Sequence, residues 1–316
     1  MAISDKVILL WLPLFLVMVV EHLFLVYVYG KYSSLQRLFK PSSSAKTDIS
    51  IWCVFYLLWP YLRVVASLIT IPGILFLVLK YFSGVMQWQA PLQPLMPPNP
   101  VLAGVIWLIA IDFAVYVAHL SMHKFSFLWT FHKVHHAATE FNVITGTRVA
   151  LPEKFTNDIA IFFFVAIVLG IPKPEVGFAV LFVRRLVDLL QHSDLPWDFG
   201  PLGFIIASPR FHRMHHSSNS ADHDSNFGNI FAFWDYLFGT VAVRYRVSKS
   251  AADHCVLGLA DREETSRINE NPVAAFLPGR VFSYVISRAS ECVRLGVIKV
   301  VRSRPDLQVV RKLLKF

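Results

Sequence analysis

The stretch Trp129-Thr130-Phe131-His132-Lys133-Val134-His135-His136 carries three histidines at spacings of three and four, and in a helix such spacings put side chains on one face. The same pattern returns at Phe211-His212-Arg213-Met214-His215-His216. Upstream of the first stretch stands His119-Leu120-Ser121-Met122-His123, again one turn apart, and between the two lies His192 by itself. Nine of the chain's 12 histidines therefore fall between His119 and His216. Adjacent imidazoles repel when protonated and need partners when neutral, so a chain that groups them this way asks for a cation to hold. Imidazole suits iron, zinc, copper and nickel alike. Eight or nine nitrogens exceed the four ligands of one tetrahedral zinc, so the count points to two metals. Two metals with open positions suit either O2 chemistry or hydrolysis.

Around these histidines, Asp112, Tyr116, His119 and His123 follow i, i+4, i+7 and i+11 along one helical face, and Asp188 stands four residues before His192. A carboxylate or phenol so placed is expected to accept from the distal N–H of a ligating imidazole and fix its tautomer. Arg184 and Arg185 are expected to pair with Asp188, the alternative being that they hold a lipid headgroup. Trp107, Trp129, Trp197 and Trp234 are expected to be interfacial anchors rather than substrate platforms. His223 and His254 lie outside the groups and are expected to face solvent.

Composition supplies the setting. Of the 316 residues 55% are hydrophobic and 16% charged, with a mean hydropathy of +0.52, too apolar for an ordinary soluble domain. Runs long enough to cross a bilayer occur at Val7 to Tyr29, within Ile51 to Lys80, and at Val101 to Leu120. The first is too long for a signal peptide and reads as an anchor; Glu21 and His22 inside it are unusual at bilayer depth. Two shorter runs, Ile159 to Ile171 and Val176 to Leu190, flank Gly170-Ile171-Pro172-Lys173-Pro174 and read as a tight hairpin. Lys31, Arg37, Lys40 and Lys46 follow the first span whereas Gly84 to Pro100 carries no charge, which puts the N-terminus outside and the histidine groups and C-terminus in the cytosol.

The reading is an all-α integral membrane bundle with a cytosolic helical cap bearing a histidine-rich di-metal site. Residues 1–100 form the anchor, 101–245 the catalytic core, and 246–316 a basic cytosolic tail. The net charge of +9 is concentrated in cytosolic segments, including Arg294, Lys299, Arg302, Arg304, Arg311, Lys312 and Lys315, and suits anionic lipid headgroups; no nucleic-acid module is visible. Cys53, Cys255 and Cys292 have no disulfide or thiolate-metal spacing.

These boxes resemble the fatty acid hydroxylase and sterol desaturase superfamily of membrane non-haem di-iron enzymes. The resemblance runs from Asp112 to Thr240. It rests on Trp129 to His136 with Glu140, Asn142 and Thr145 following; on Gln191-His192-Ser193; and on Ser208 to His216, then Asp224-Ser225-Asn226-Phe227-Gly228 and Trp234 to Thr240. It implies His119, His123, His132, His135, His136, His192, His212, His215 and His216 as ligands of two Fe ions, zinc being possible in purified protein, with O2 as co-substrate. It implies that Asp224 and Asn226 shape the site. Many members carry a histidine after the arginine of the second-box region, whereas this chain has Arg148-Val149-Ala150-Leu151, which leaves subfamily and substrate open. A separate electron donor, ferredoxin-like or a haem carrier with its reductase, is expected, in place of a fused haem-binding domain.

The expected function is O2-dependent hydroxylation of a C–H bond in a lipid drawn from the bilayer, with sterol or fatty acyl desaturation as the alternative. Rivals of another class are a zinc-dependent membrane lipid hydrolase, a haem electron carrier and a metal transporter. Haem wants single facing histidines at mid-bilayer and transport wants a polar path through the spans, whereas these histidines cluster at helix ends.

Overall fold

The computed structural model describes residues 3–54, 56, 90–161, 165 and 167–270. Most of the expected second span, part of the hairpin's first arm, and the basic tail from 271 onward with Cys292 lie outside them. Among the described residues the elements are helical, with isolated bridges at Ile206–Phe231 and Ser217–Leu257.

Helix α1 (Ile3–His22) continues through a π-helical turn, Leu23–Val28. Short helices α2 (Ser34–Phe39) and α3 (Ser43–Cys53) follow, each started by a serine N-cap, Ser33 and Ser42. Helix α4 (Pro100–Lys124) opens with Asn99, whose side chain accepts from the amides of Val101 and Leu102, and with Pro100 in the first turn. After α4 come α5 (Ser126–His136), α6 (Leu151–Ile161) and α7 (Pro174–Gln191), again with proline at its start. The remaining helices are α8 (Pro209–His215), α9 (Phe233–Phe238), α10 (Val243–Val247) and α11 (Arg262–Glu270).

Helix α7 sits between α1 and α4, and α4 packs in turn on α5 and α6. Trp107, Ile111, Ala114 and Val115 of α4 meet Val176 and Val180 of α7 in one apolar core; Leu14 and Val17 of α1 meet Val143, Ile144 and Leu189 in another. Two described segments are long and apolar enough to cross a bilayer, Trp11–Val28 and Pro100–Lys124, with mean hydropathies of 2.1 and 2.3. Their outer faces are bare: Phe15 is 63%, Tyr27 75% and Val101 74% exposed. A core helix of a water-soluble domain would cover such side chains.

Trp107 departs from expectation. It is buried in the helix core, because its face of α4 is the one that meets α7. Glu21 is buried too and has structural partners: the Ser34 amide and hydroxyl donate to it at 2.9 and 2.7 Å, and the Asp194 amide at 3.3 Å. His22 Nδ1 pairs with the Ser33 hydroxyl at 2.9 Å. The polar pair in α1 thus ties the anchor to the loops at its end.

Arg148 is the largest of the completely buried side chains. Its Nε donates to the Val134 carbonyl at 2.8 Å, Nη1 meets Asp48 Oδ1 at 3.1 Å, and Nη2 donates to Asn269 Oδ1. Asn269 in turn donates to the Ala137 carbonyl at 2.8 Å. One guanidinium therefore joins α3, the histidine-bearing end of α5, and α11. Asn269, in the segment expected as tail, thereby packs on the core. Burial pushes the Asp48 carboxyl up to about 6 against the pull of Arg148. Asp48→Ala would leave the guanidinium buried without its counter-charge, at a cost of ~3–5 kcal/mol. A clearly lowered thermal unfolding midpoint is the expected result.

Candidate metal centre

Four helix C-termini meet at the site. His119 and His123 lie in the last two turns of α4, His132, His135 and His136 end α5, His192 caps α7, and His212 and His215 end α8 with His216 as its cap. A helix C-terminus carries partial negative charge on its unpaired carbonyls, so this convergence favours cations before any ligand bond forms.

The nine rings fall into two groups. His119, His123, His132, His136 and His215 form one; His135, His192, His212 and His216 form the other; within each, one nitrogen per ring lies within 4.8 Å of the rest. The groups adjoin, with the His136 and His216 rings stacked at 4.4 Å between centroids. Burial, and then the neighbouring imidazoles, push His132, His135, His136, His212, His215 and His216 well below the ordinary histidine range. Burial thus favours the neutral form that ligation requires.

The tautomers follow from partners on the far side of each ring. Nδ1 of His119 donates to the Phe227 carbonyl at 2.9 Å, that of His192 to the Asp188 carbonyl at 2.7 Å, and that of His215 to the Ser225 carbonyl at 2.7 Å. His132 Nδ1 donates to Glu153 Oε1 at 2.7 Å. With the proton on Nδ1, each Nε2 presents a lone pair. The Nε2 atoms of the rings converge: Nε2–Nε2 separations are 3.1 Å for His119–His132, 3.1 Å for His123–His136 and 3.2 Å for His132–His136 in the first group. In the second they are 3.4 Å for His135–His192, 2.9 Å for His192–His212 and 3.2 Å for His212–His216. On His119 and His132 both Nδ1 atoms donate elsewhere, so two lone pairs face each other and cannot hydrogen-bond. Metal–nitrogen bonds of about 2.1 Å give nitrogen pairs about 3.0 Å apart at right angles and about 3.4 Å apart at the tetrahedral angle, the range seen here. His215 Nε2 is buried with no hydrogen-bond partner, a further nitrogen that a metal would satisfy. The residues present fit two metal ions.

Of the expected orienting residues, Asp188 lies beside His192, but its backbone carbonyl and not the expected carboxylate makes the close bond to the ring. Its carbonyl takes the His192 proton, its carboxylate lies 3.6 Å from the same nitrogen, and Arg185 Nη1 holds the other oxygen at 3.0 Å. Asp112 and Tyr116 touch no imidazole. Asp112 accepts from the amides of Ile230 and Phe231 at 2.7 and 3.0 Å and from Trp234 Nε1 at 3.1 Å. Tyr116 pairs with Thr240 at 2.9 Å, Thr240 with Asp235 at 2.6 Å, and Asp235 with the Phe227 and Gly228 amides at 2.8 and 2.7 Å. Both brace, at one remove, the loop whose Ser225 and Phe227 carbonyls fix two rings. Asn226 braces it as well, donating to the Phe211 carbonyl at 2.9 Å and accepting from the Ala242 amide at 2.8 Å. Its φ of 56° and the 57° of Asp224 suit Asn and Asp, which tolerate the left-handed region. Asp224 Oδ1 lies 3.5 Å from His123 Nδ1, while Lys124 holds the other oxygen at 2.7 Å.

The tryptophans divide. Trp129 packs on the His123 and His136 rings at 5.0 and 5.3 Å, and Trp197 stands edge-on to Phe24 at 4.9 Å. His223 and His254 are exposed.

Sequence reasoning missed Glu153, which is 3% exposed and sits in the first turn of α6. It lies 21 positions from His132 on another helix, so no spacing rule joins them; the one available signal is a lone carboxylate heading an apolar run. Glu153→Ala is expected to lower metal affinity and turnover about 10- to 100-fold, with Glu153→Gln less affected because its amide oxygen still accepts from Nδ1. Metal analysis alongside kinetics checks both. Two cavities reach the centre. One of about 460 Å³ touches His119, His132, His135, His192 and His212 beside Val115, Met122, Ile161 and Leu181; the other, about 350 Å³, touches His123, His136 and His215 with Trp129, Asp224 and Asp261.

Residues 104–240, which contain all nine histidines, match the fatty acid hydroxylase family model. The chain is 33% identical over 138 residues to an alkylglycerol monooxygenase of Danio rerio, covering 43% of this chain and 30% of that protein. It is 34% identical over 136 residues to an ornithine lipid hydroxylase of Rhizobium tropici, covering 43% and 40%, and 31% identical over 174 residues to a cholesterol 25-hydroxylase-like protein of Danio rerio, covering 50% and 64%. The chain spans about a third of the length of the alkylglycerol monooxygenases it matches. No solved structure matches. Converging histidine groups and matched sequence together make residues 104–240 a fatty acid hydroxylase domain.

Proposed function

We propose that this chain is a multi-pass membrane oxygenase that hydroxylates a C–H bond of a lipid, using O2, two histidine-held irons and electrons from a separate carrier. The observation that carries the reading is the five-plus-four division of buried imidazoles with converging Nε2 atoms. His119, His123, His132, His136 and His215 would hold one iron and His135, His192, His212 and His216 the other; bound there, the pair supplies redox capacity for activating O2. The chain's own part is to fix ring orientation through Glu153, Asp188, Ser225 and Phe227, to keep water from the buried nitrogens, and to position the lipid in the cavity beside Val115 and Leu181. The bare apolar faces of α1 and α4 support membrane insertion, with the N-terminus outside and the site at the cytosolic end of α4.

Hydroxylation is favoured over desaturation by the names of the relatives, which are hydroxylases and monooxygenases. Nitrogens about 3 Å apart leave no room for a porphyrin between facing rings, which counts against haem. The test is O2 uptake by the purified chain in lipid nanodiscs. Uptake that requires both reductant and lipid, with oxygen from labelled O2 found in the lipid, is expected; lipid turnover that proceeds without reductant, as a zinc hydrolase would give, contradicts the proposal.

A further inference from the structure

Helix α4 fixes the depth of whatever packs on it. Its 25 residues measure about 37 Å at roughly 1.5 Å per residue, little more than the roughly 30 Å hydrocarbon core of a bilayer. Phe113 lies about 16 Å along the axis from the Lys124 end, so a spanning α4 carries it inside the hydrocarbon. Yet α9, which follows all the histidine groups in the chain, packs there. The Trp234 ring lies 4.9 Å from that of Phe113, and Phe238 stacks on Tyr116 at 5.6 Å. The turn Gly200–Phe204 joins α9: Phe204 packs on Tyr236 at 5.1 Å, and the Ala232 amide donates to the Ile205 carbonyl at 2.9 Å. Across the two segments Leu202, Phe204, Ile205, Leu237 and Phe238 are 50–67% exposed, an apolar surface continuous with a spanning helix.

The backbone of this region is prepared for a place without water. Irregular chain enters hydrocarbon only where its amides and carbonyls find partners inside the protein. Asp112, midway along α4, accepts from the Ile230 and Phe231 amides and from the Trp234 ring nitrogen, and Asp235 accepts from the Phe227 and Gly228 amides. The Asn226 amide donates to the Thr240 carbonyl at 2.8 Å, and the Ala207 amide to the Ile230 carbonyl at 2.9 Å. Water would serve these amides in an exposed loop; at bilayer depth only buried carboxylates and carbonyls can. Cations stand at the edge. Lys249 holds its ammonium over the Phe204 ring at 5.2 Å while donating to the Gly200 carbonyl at 2.8 Å, and Arg246 beside it in sequence is exposed. An apolar body with a basic rim matches acyl chains beneath anionic headgroups. We infer that the Gly200–Phe204 turn and α9 form a wedge seated among the acyl chains of the leaflet on the histidine side of the bilayer, in place of a cap lying wholly in water. Asp112 fixes this wedge to α4.

The wedge rests on the reading of α1 and α4 as membrane spans, and the experiment separates the two. In the full chain with Cys53, Cys255 and Cys292 replaced by serine, one cysteine is introduced as Leu202→Cys, Leu237→Cys, Phe15→Cys or His254→Cys. Each is labelled with an environment-sensitive fluorophore in nanodiscs; all four native side chains are exposed, so the label leaves the packing intact. Iodide quenches labels in water, and doxyl-labelled phospholipid quenches those among acyl chains. Positions 202 and 237 are expected to behave like 15, losing iodide quenching and gaining doxyl quenching, whereas 254 stays open to iodide. Iodide quenching at 202 and 237 equal to that at 254, with 15 shielded, overturns the wedge and leaves the spans standing. Shielding from both quenchers also overturns it, because a protein partner or a second copy then covers the surface. Iodide access at 15 overturns the spans and the wedge together. In the chain with its native cysteines, photoreactive benzoylphenylalanine at position 237 is expected to crosslink to phospholipid, and crosslinks to protein alone overturn the wedge.

Discussion

Replacing His135 by alanine is expected to remove one metal and leave the other, and replacing its neighbour His136 to loosen the second metal while sparing the first. The two residues are adjacent on the last turn of α5, yet their rings diverge, His135 meeting His192, His212 and His216, and His136 meeting His119, His123, His132 and His215. Loss of one nitrogen from the four-histidine group leaves three ligands, and from the five-histidine group four. The His135→Ala chain is therefore expected to retain roughly one ion in place of two, and His136→Ala to weaken the other ion with milder metal loss. Turnover falls to background in both, because the chemistry uses the two ions together. Metal quantification of the two variants checks this. Equal loss of both metals from either variant would mean that the groups are one pooled cluster, and full activity in His135→Ala would contradict the ligand assignment.

Gly146→Ala is expected to disable the centre without unfolding the chain. A Cβ at this position would lie 2.8 Å from His192 Nδ1 and 2.9 Å from each carboxylate oxygen of Asp188, closer than carbon atoms approach such groups. His192 is held by Asp188 and cannot turn without giving up the 2.7 Å bond to its carbonyl. The added methyl group must displace the ring, the carboxylate or both. By analogy with removal of an orienting partner, a loss of about 10- to 100-fold in activity or metal affinity follows. Residue 146 lies in a short helical turn, Thr145–Thr147, where alanine is locally no worse than glycine and lowers the entropy of the unfolded chain. The unfolding midpoint should hold while activity falls. A variant with full activity would mean that the His192–Asp188 pair tolerates displacement and does not orient a ligand.

The histidine groups were legible because helical periodicity is local: a spacing of three or four fixes a shared face whatever lies opposite. The same rule explains the misplaced roles. Asp112 and Tyr116 do lie on the inward face with His119, as their spacing states, but a face says nothing of which partner a side chain finds there. Both met the 226–240 loop, a segment whose path depends on its own left-handed turns. Glu153 and Gly146 were invisible for the converse reason, since each acts across space on a histidine of another element. Trp107 illustrates a limit of composition: an aromatic near the end of an apolar run suits an interface or a core equally well, and only the docking of α7 decides. The stretch after Arg148, Val149-Ala150-Leu151, departs from a family pattern, while Arg148 itself proves to be the buried strut that binds α3, α5 and α11.

The central claim is that nine imidazoles hold two irons, and iron X-ray absorption on the purified, quantified chain tests it most directly. The expected result is about two irons per chain, each with four or five nitrogen scatterers at roughly 2.0–2.2 Å and the outer-shell pattern of imidazole rings. Protein free of transition metal after expression with ample iron, or iron bound chiefly through oxygen or sulfur, would contradict it.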